Sequence, residues 1–230
     1  MKARPQSAPR SAPGPAAAGR WPLRALSVTT PRLVLRWPSE SDLDELADLA
    51  AAGVHDPAVQ PFEAAWTDVP PDERALGTLQ FHWSKWAAWK PDDWQLNFVV
   101  VLDGTVVGSQ AIKAHDFAVV RELCTGSWLG LDYQGRGIGT QMRAAVLSLA
   151  FEGLGARSVT SEAFTDNAAS LGVSRRLGYQ DDGIAVSCIR GRRAVRQRLR
   201  LDRARWQQHA TVPVELHNLE PCLALFGVAH

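Results

Sequence analysis

No uninterrupted apolar segment of this chain approaches the ~20 residues that a membrane span requires. Ala145 to Phe151, interrupted by Ser148, is far too short, so no membrane partner is expected. Cysteine is scarce. Cys124, Cys188 and Cys222 are odd in number, widely spaced and without a CxxC pair, which argues against both a disulfide framework and a metal site and fits a reducing cytoplasm. Net charge is nearly absent as well: +1 overall gives no general attraction to nucleic acid or anionic lipid, and nucleic acid is not an expected partner. Acidic residues are missing from Met1 to Arg20, a run of Pro, Ala, Ser and Arg that cannot bury enough apolar surface to order itself. A flexible tail over 1–27 is the expectation, and its prolines break up the amphipathic pattern that a transit peptide would carry.

What is present is a chain of 230 residues, 46% hydrophobic and 21% charged, enough to bury a substantial core as one domain with additions. Thr30 to Trp37 reads as a strand, and Pro38-Ser39 separates it from an amphipathic helix marked by Leu43, Leu46, Ala47 and Ala50, which Ser41 with Asp44 can cap. Pro70-Pro71-Asp72-Glu73 reads as the first turn of a second helix reaching about Trp89. Within it Trp83, Trp86 and Trp89 spread over one broad face, either as core or as an apolar wall for an acceptor. Leu96 to Leu102, Asp103-Gly104 and Thr105 to Ile112 form a hairpin signal, because Asp-Gly supplies the positive φ values of a type I′ turn. Arg157 to Phe164 is the next strand, followed by a helix from Asn167 to Leu177 that Asp166 can cap and Gly178 can stop. Ile184 to Arg190 and Val195 to Leu201 read as a last hairpin whose Arg196, Arg198 and Arg200 share a face.

The chain is organised around Leu123 to Ala150. A β-prone run from Leu123 to Leu131 leads through Asp132-Tyr133 and the loop QGRGIGT into a helical pattern at Met142, Ala145, Val146 and Leu149. Gly135, Gly137 and Gly139 allow positive φ and close approach of the backbone, and the first helical N–H groups after them lack intrahelical acceptors. Such a loop favours an anion, and Arg136 adds charge. The spacing is neither GxGxxG nor GxxxxGK[ST], so neither a dinucleotide nor a nucleotide triphosphate is indicated.

Gln134 to Gly139, Q-G-R-G-I-G, resembles the (Q/R)-x-x-G-x-(G/A) loop of the GNAT superfamily of N-acetyltransferases. Asp166 to Ser170 with Leu177-Gly178-Tyr179 is similar to that family's N-x-x-(S/A)…LG(F/Y) segment, and TPRLVLR to the opening of its RimJ/RimL-like branch. The resemblance implies an α+β, three-layer fold with a central mixed, mostly antiparallel sheet flanked by helices. It implies an acyltransferase domain over 28–206, with 207–230 an extension packing on the domain or on a partner subunit in a homodimer. GVHDP, GSWLGL, the DNxASxxVSRR segment and the closing LFG further resemble a succinyl-CoA-using subgroup.

By that resemblance the cosubstrate is acetyl-CoA or succinyl-CoA, with no metal. The backbone around Leu129 and Leu131 would pair with the pantetheine arm. Gln134, Gly135, Arg136, Gly137, Ile138, Gly139 and Thr140 would hold the pyrophosphate, and Asn167 and Ser170 would contact the CoA side of the cleft. Acyl transfer to a primary amine follows, the acceptor being a small molecule or a protein N-terminus. Many family members carry a proton-donating Tyr seven residues after the Asn, whereas this chain has Ser174. Its hydroxyl either serves the leaving thiolate or bonds the carbonyl four residues back. Glu162, Asp116 and Glu122 are candidate bases beside a water chain. The alternatives are a non-catalytic acyl-CoA-binding module and an enzyme acting on an RNA-linked aminoacyl group.

Overall fold

The computed structural model describes residues 19–228; most of the predicted N-terminal tail and the last two residues lie outside that range. In chain order the elements are β1 (Ser27–Thr29), β2 (Leu33–Arg36), α1 (Glu40–Ala52), α2 (Pro71–Ala87), β3 (Asp93–Leu102) and β4 (Thr105–His115). They continue with α3 (Phe117–Val120), β5 (Glu122–Leu129), α4 (Ile138–Ser148), β6 (Ser158–Phe164) and α5 (Ala168–Arg176). The described chain closes with β7 (Gln180–Ile189), β8 (Arg192–Asp202), α6 (Arg203–His209), β9 (Glu215–His217) and a 3₁₀ turn at Glu220–Phe226. All nine strands form one sheet in the order β7-β8-β6-β5-β4-β3-β2-β1-β9. Every pair is antiparallel except β5 with β6, so the sheet is mixed and mostly antiparallel, with helices against both faces.

Strand alternation assigns the two faces. Leu96, Phe98 and Val100 of β3 join the main core with Met142, Ala145 and Val146 of α4, whereas Val99 and Val101 pack with Leu46 of α1. The β3–β4 turn takes the left-handed values expected of Asp-Gly, with φ 50° at Asp103 and 85° at Gly104. Helix α1 is capped two residues earlier than the sequence suggested. Ser39 Oγ accepts from Asp42 N at 3.1 Å, and Asp42 returns the bond to Ser39 N at 3.0 Å, giving the same spacing as Ser41 with Asp44 but with a carboxylate already held by Arg36. Helix α5 likewise shifts its cap from Asp166 to Asn167, whose Oδ1 accepts from Ser170 N at 3.0 Å. Its end is a left-handed Gly178, with Tyr179 N donating to Ser174 O.

The tryptophan-rich segment is mostly interior. Trp89 stacks on Trp94 at 5.9 Å, Trp37 stacks on Trp86 at 4.9 Å, and Phe226 meets both Trp89 and Trp94 edge-on. Trp83 alone of the α2 tryptophans is turned to solvent. The C-terminal segment lies on its own chain: β9 pairs with β1, and Trp89 Nε1 donates to Leu225 O at 2.9 Å.

Candidate active site

β5 and β6 share only three register pairs, Glu122 with Ser158, Leu123 with Val159 and Cys124 with Thr160. Beyond them the strands diverge. β5 stays paired to β4 as far as Leu129, and β6 stays paired to β8 as far as Phe164. The result is a wedge in the middle of the sheet, closed at Cys124 and Thr160 and open toward the glycine loop, whose free edges present unpaired backbone groups to whatever enters.

The loop stands at the open end. Gly135 and Gly137 have φ 72° and 77°, values that L side chains adopt only with strain. Among the described residues the N–H groups of Gly135, Arg136, Gly137, Ile138, Gly139 and Thr140 take no acceptor; the first to be satisfied is Gln141, by Gly137 O at 3.3 Å. Six free donors at the positive end of an eleven-residue helix form an anion cradle. Three guanidinium groups surround it: Arg136 lies over the Tyr133 ring, Arg32 donates to Arg136 O at 3.3 Å, and Arg176 reaches Thr140 Oγ1 at 3.5 Å. Gln134 plays a different part. Its Nε2 donates to Val54 O at 2.8 Å and to Leu129 O at 3.0 Å, and its own N–H goes to Leu131 O, so its hydrogen bonds brace the loop. Leu131 lies past the strand in a 3₁₀ turn, because β5 ends at Leu129 before Gly130; the expected backbone pairing therefore has Leu129 but not Leu131 to draw on.

Inside the wedge, on the α4 face, Arg143 is 4% exposed. Its Nη1 donates to Ser161 Oγ on β6 and its Nη2 to Ser127 Oγ on β5, each at 3.2 Å, so one side chain spans the two separating strands. Thr125 Oγ1 and Tyr179 Oη are 3.4 Å apart nearby, and burial raises the Tyr179 phenol above its ordinary pKa while Arg143 pulls it back. Gln110 stands opposite Ser127 on β4, fully buried. Three atoms of this region are buried without a partner: Gln110 Oε1, Arg143 Nε and Ser174 Oγ.

The three catalytic candidates do not converge. Ser174 is fully buried on α5, which packs against α4 and β6. Glu162 points to the opposite face, paired with Arg196 at 3.4 Å, while Arg196 also binds Glu63. Asp116 follows the far end of β4, in a left-handed conformation at φ 49°, and its carboxylate meets His115 at 3.2 Å. That end is about seven strand residues, or roughly 23 Å, from the glycine loop. Glu122 is tied to Arg200 and to Ser158 Oγ. Arg196, Arg198 and Arg200 do share a face, but each is already engaged: Arg198 donates to Asp182 O, and Arg200 also meets the Asp182 carboxylate.

Residues 32–180 match the family model described as an acetyltransferase (GNAT) domain. The chain belongs to the GNAT acetyltransferases. Its fold is similar to that of RimL, a ribosomal-protein α-N-acetyltransferase solved with coenzyme A, with a TM-score of 0.60 and 17% identity over 75% of this chain and 95% of that one. Mycobacterium smegmatis RimJ in complex with a CoA disulfide gives a TM-score of 0.62 and 18% identity, covering 80% and 89% of the two chains. A GCN5-related N-acetyltransferase from Brucella melitensis gives 0.62 and 19%, covering 80% and 81%. Within the GNAT fold of this chain, sequence reasoning overlooked Arg32, Arg143 and Arg176. Arg143 had a signal: a charge at a position whose helical neighbours Met142, Ala144, Ala145 and Val146 are all core.

Proposed function

We propose that the protein is an acyl-CoA-dependent N-acyltransferase that moves an acetyl or succinyl group to a primary amine. The observation that carries this reading is the wedge between β5 and β6 opening onto six acceptor-free N–H groups. The residues present suit the cosubstrate: the loop donors with Arg32, Arg136 and Arg176 match its phosphates, and the free edge of β5 up to Leu129 matches a pantetheine amide. Asn167 caps α5 with its carbonyl oxygen, which leaves its amide protons for the CoA side of the cleft.

Bound acyl-CoA supplies an activated carbonyl: the neutral amine forms the C–N bond, the C–S bond breaks with its electron pair leaving on sulfur, and the amine proton passes to a base or water. The chain's residues arrange that exchange. Backbone N–H groups along the unpaired part of β5 stabilise charge on the carbonyl oxygen. Ser174 Oγ, fully buried and without a partner, is available to donate to sulfur. The acceptor enters from the α1–α2 face, where Trp66 meets Trp128 of β5 at 5.6 Å and Phe62 at 5.2 Å, with Glu63 and Glu162 at the rim. One structural neighbour, RimL, is an α-N-acetyltransferase of a ribosomal protein, which favours a peptide N-terminus among the acceptors to be tried.

The test is release of free CoA thiol with acetyl-, succinyl- and malonyl-CoA against amines and N-terminal peptides. Amine-dependent release supports the reading. CoA binding without turnover across the whole panel would leave a binding module instead.

A further inference from the structure

Four arginines on or beside this sheet are paired with carboxylates. Arg36 has Asp42, Arg190 has Asp68, Arg196 has Glu63 and Glu162, and Arg200 has Glu122 and Asp182. All of these arginines are more exposed than Arg143. Arg143 is the most deeply placed of the set, yet among the described residues no carboxylate lies within ion-pair distance of it. Its surroundings are neutral hydroxyls and an amide: Ser127, Ser161, Thr125, Tyr179 and Gln110. Guanidinium stays protonated in proteins, so a buried one without an anion carries a desolvation cost that its two serine bonds offset only in part. Nε remains without any acceptor.

Location turns this cost into specificity. Ser127 and Ser161 lie just beyond the last paired residues, Cys124 and Thr160, so the guanidinium sits between the strands where they begin to separate. This is the inner end of the wedge, and an acyl chain entering along β5 from the glycine loop runs toward it. Resting on the acyl-CoA reading above, we propose that Arg143 is a specificity-determining residue that binds the terminal carboxylate of a short dicarboxylic acyl group, with succinyl as the representative donor. The free Nε and the unused guanidinium protons offer that carboxylate the planar, forked contact in which arginine surpasses lysine. An acyl group ending in methyl would leave the charge uncompensated.

Steady-state kinetics with succinyl-CoA, butyryl-CoA and acetyl-CoA, using an amine that turns over, isolate the effect. Butyryl matches succinyl in carbon count but carries no charge. Wild type should favour succinyl over butyryl at least tenfold in kcat/KM, about 1.4 kcal/mol. Arg143→Met should shrink that ratio at least tenfold, and Arg143→Lys should keep part of it. A purely structural strut would lower all three donors together and leave the ratio unmoved, which overturns the proposal. So does a wild type that treats succinyl and butyryl alike, a result that needs no variant to fold. Calorimetry with free CoA separates the two levels: CoA binding with no carboxylate preference defeats only the Arg143 assignment, whereas no CoA binding by wild type defeats the acyl-CoA reading itself.

Discussion

Ser174 holds a hydroxyl that finds no partner in the interior, not even the carbonyl four residues back, so the local bond that helical serines often make is absent. An unpartnered buried hydroxyl is a liability unless something completes it, and on the proposed reading the leaving thiolate is what would complete it. Two effects of Ser174→Ala then point in opposite directions. Removing an unsatisfied polar group should raise the stability of the free protein by ~1 kcal/mol. Losing a donor to sulfur should lower kcat by roughly five- to a hundredfold with little change in acyl-CoA affinity, since the bond strengthens only as charge develops. Thermal melts and kcat under chemistry-limited conditions read the two; unchanged kcat would return Ser174 to a packing role.

At the scale of elements, the glycine loop owes its shape to conformation more than to space. A Cβ at Gly137 would meet nothing within 4 Å, but φ 77° is a value that a β-branched residue avoids. Gly137→Val should therefore rotate the N-terminal amides of α4 out of line and weaken CoA binding at least tenfold, measurable by calorimetry. Equal affinity in a folded variant would detach the loop from the phosphate. The loop, its glycines and the helix after it were legible because each leaves a local mark in residue type. The wedge was not: Leu123 to Leu131 reads as one strand, and nothing local reveals that β5 and β6 pair over three residues and then separate. β1, β9, α3 and α6 escaped for a related reason, being three to seven residues long and fixed by tertiary pairing. Capping was legible in kind but not in position, because Ser39 with Asp42 and Ser41 with Asp44 offer the same spacing and only Arg36 distinguishes them. The catalytic candidates were least legible, since Glu162 and Ser174 fall on opposite faces by strand and helix phase that motif matching does not track.

The stability of the whole fold should depend on pH through a buried histidine of α2. Burial pushes the His82 imidazole down from 6.5 to about 4, and its Nδ1 has no partner. The unfolded chain takes up this proton first as pH falls, so the contribution of His82 is complete above about 6.5 and is lost progressively toward pH 4, on the order of 3 kcal/mol in all. Asp42 acts in a separate window. Its burial disfavours the charge, but the bonds from Arg36 and Ser39 prevail and hold its pKa below 3.8, so its contribution fades only at more acid pH. Urea midpoints from pH 7 to 4 should fall in wild type and flatten in His82→Leu; parallel slopes would mean that other groups carry the dependence.

The narrow seam between β5 and β6 divides the sheet into two plates of six and three strands, joined by three residue pairs and by Arg143 reaching across. With a donor in the wedge, its pantetheine amides would lie where strand bonds are missing and its acyl end would stand beside the bridging guanidinium. On the proposed reading, then, the cargo is also a keystone: the continuity of the sheet at its centre is completed by the molecule the protein consumes, and each turnover takes that stone out of the arch.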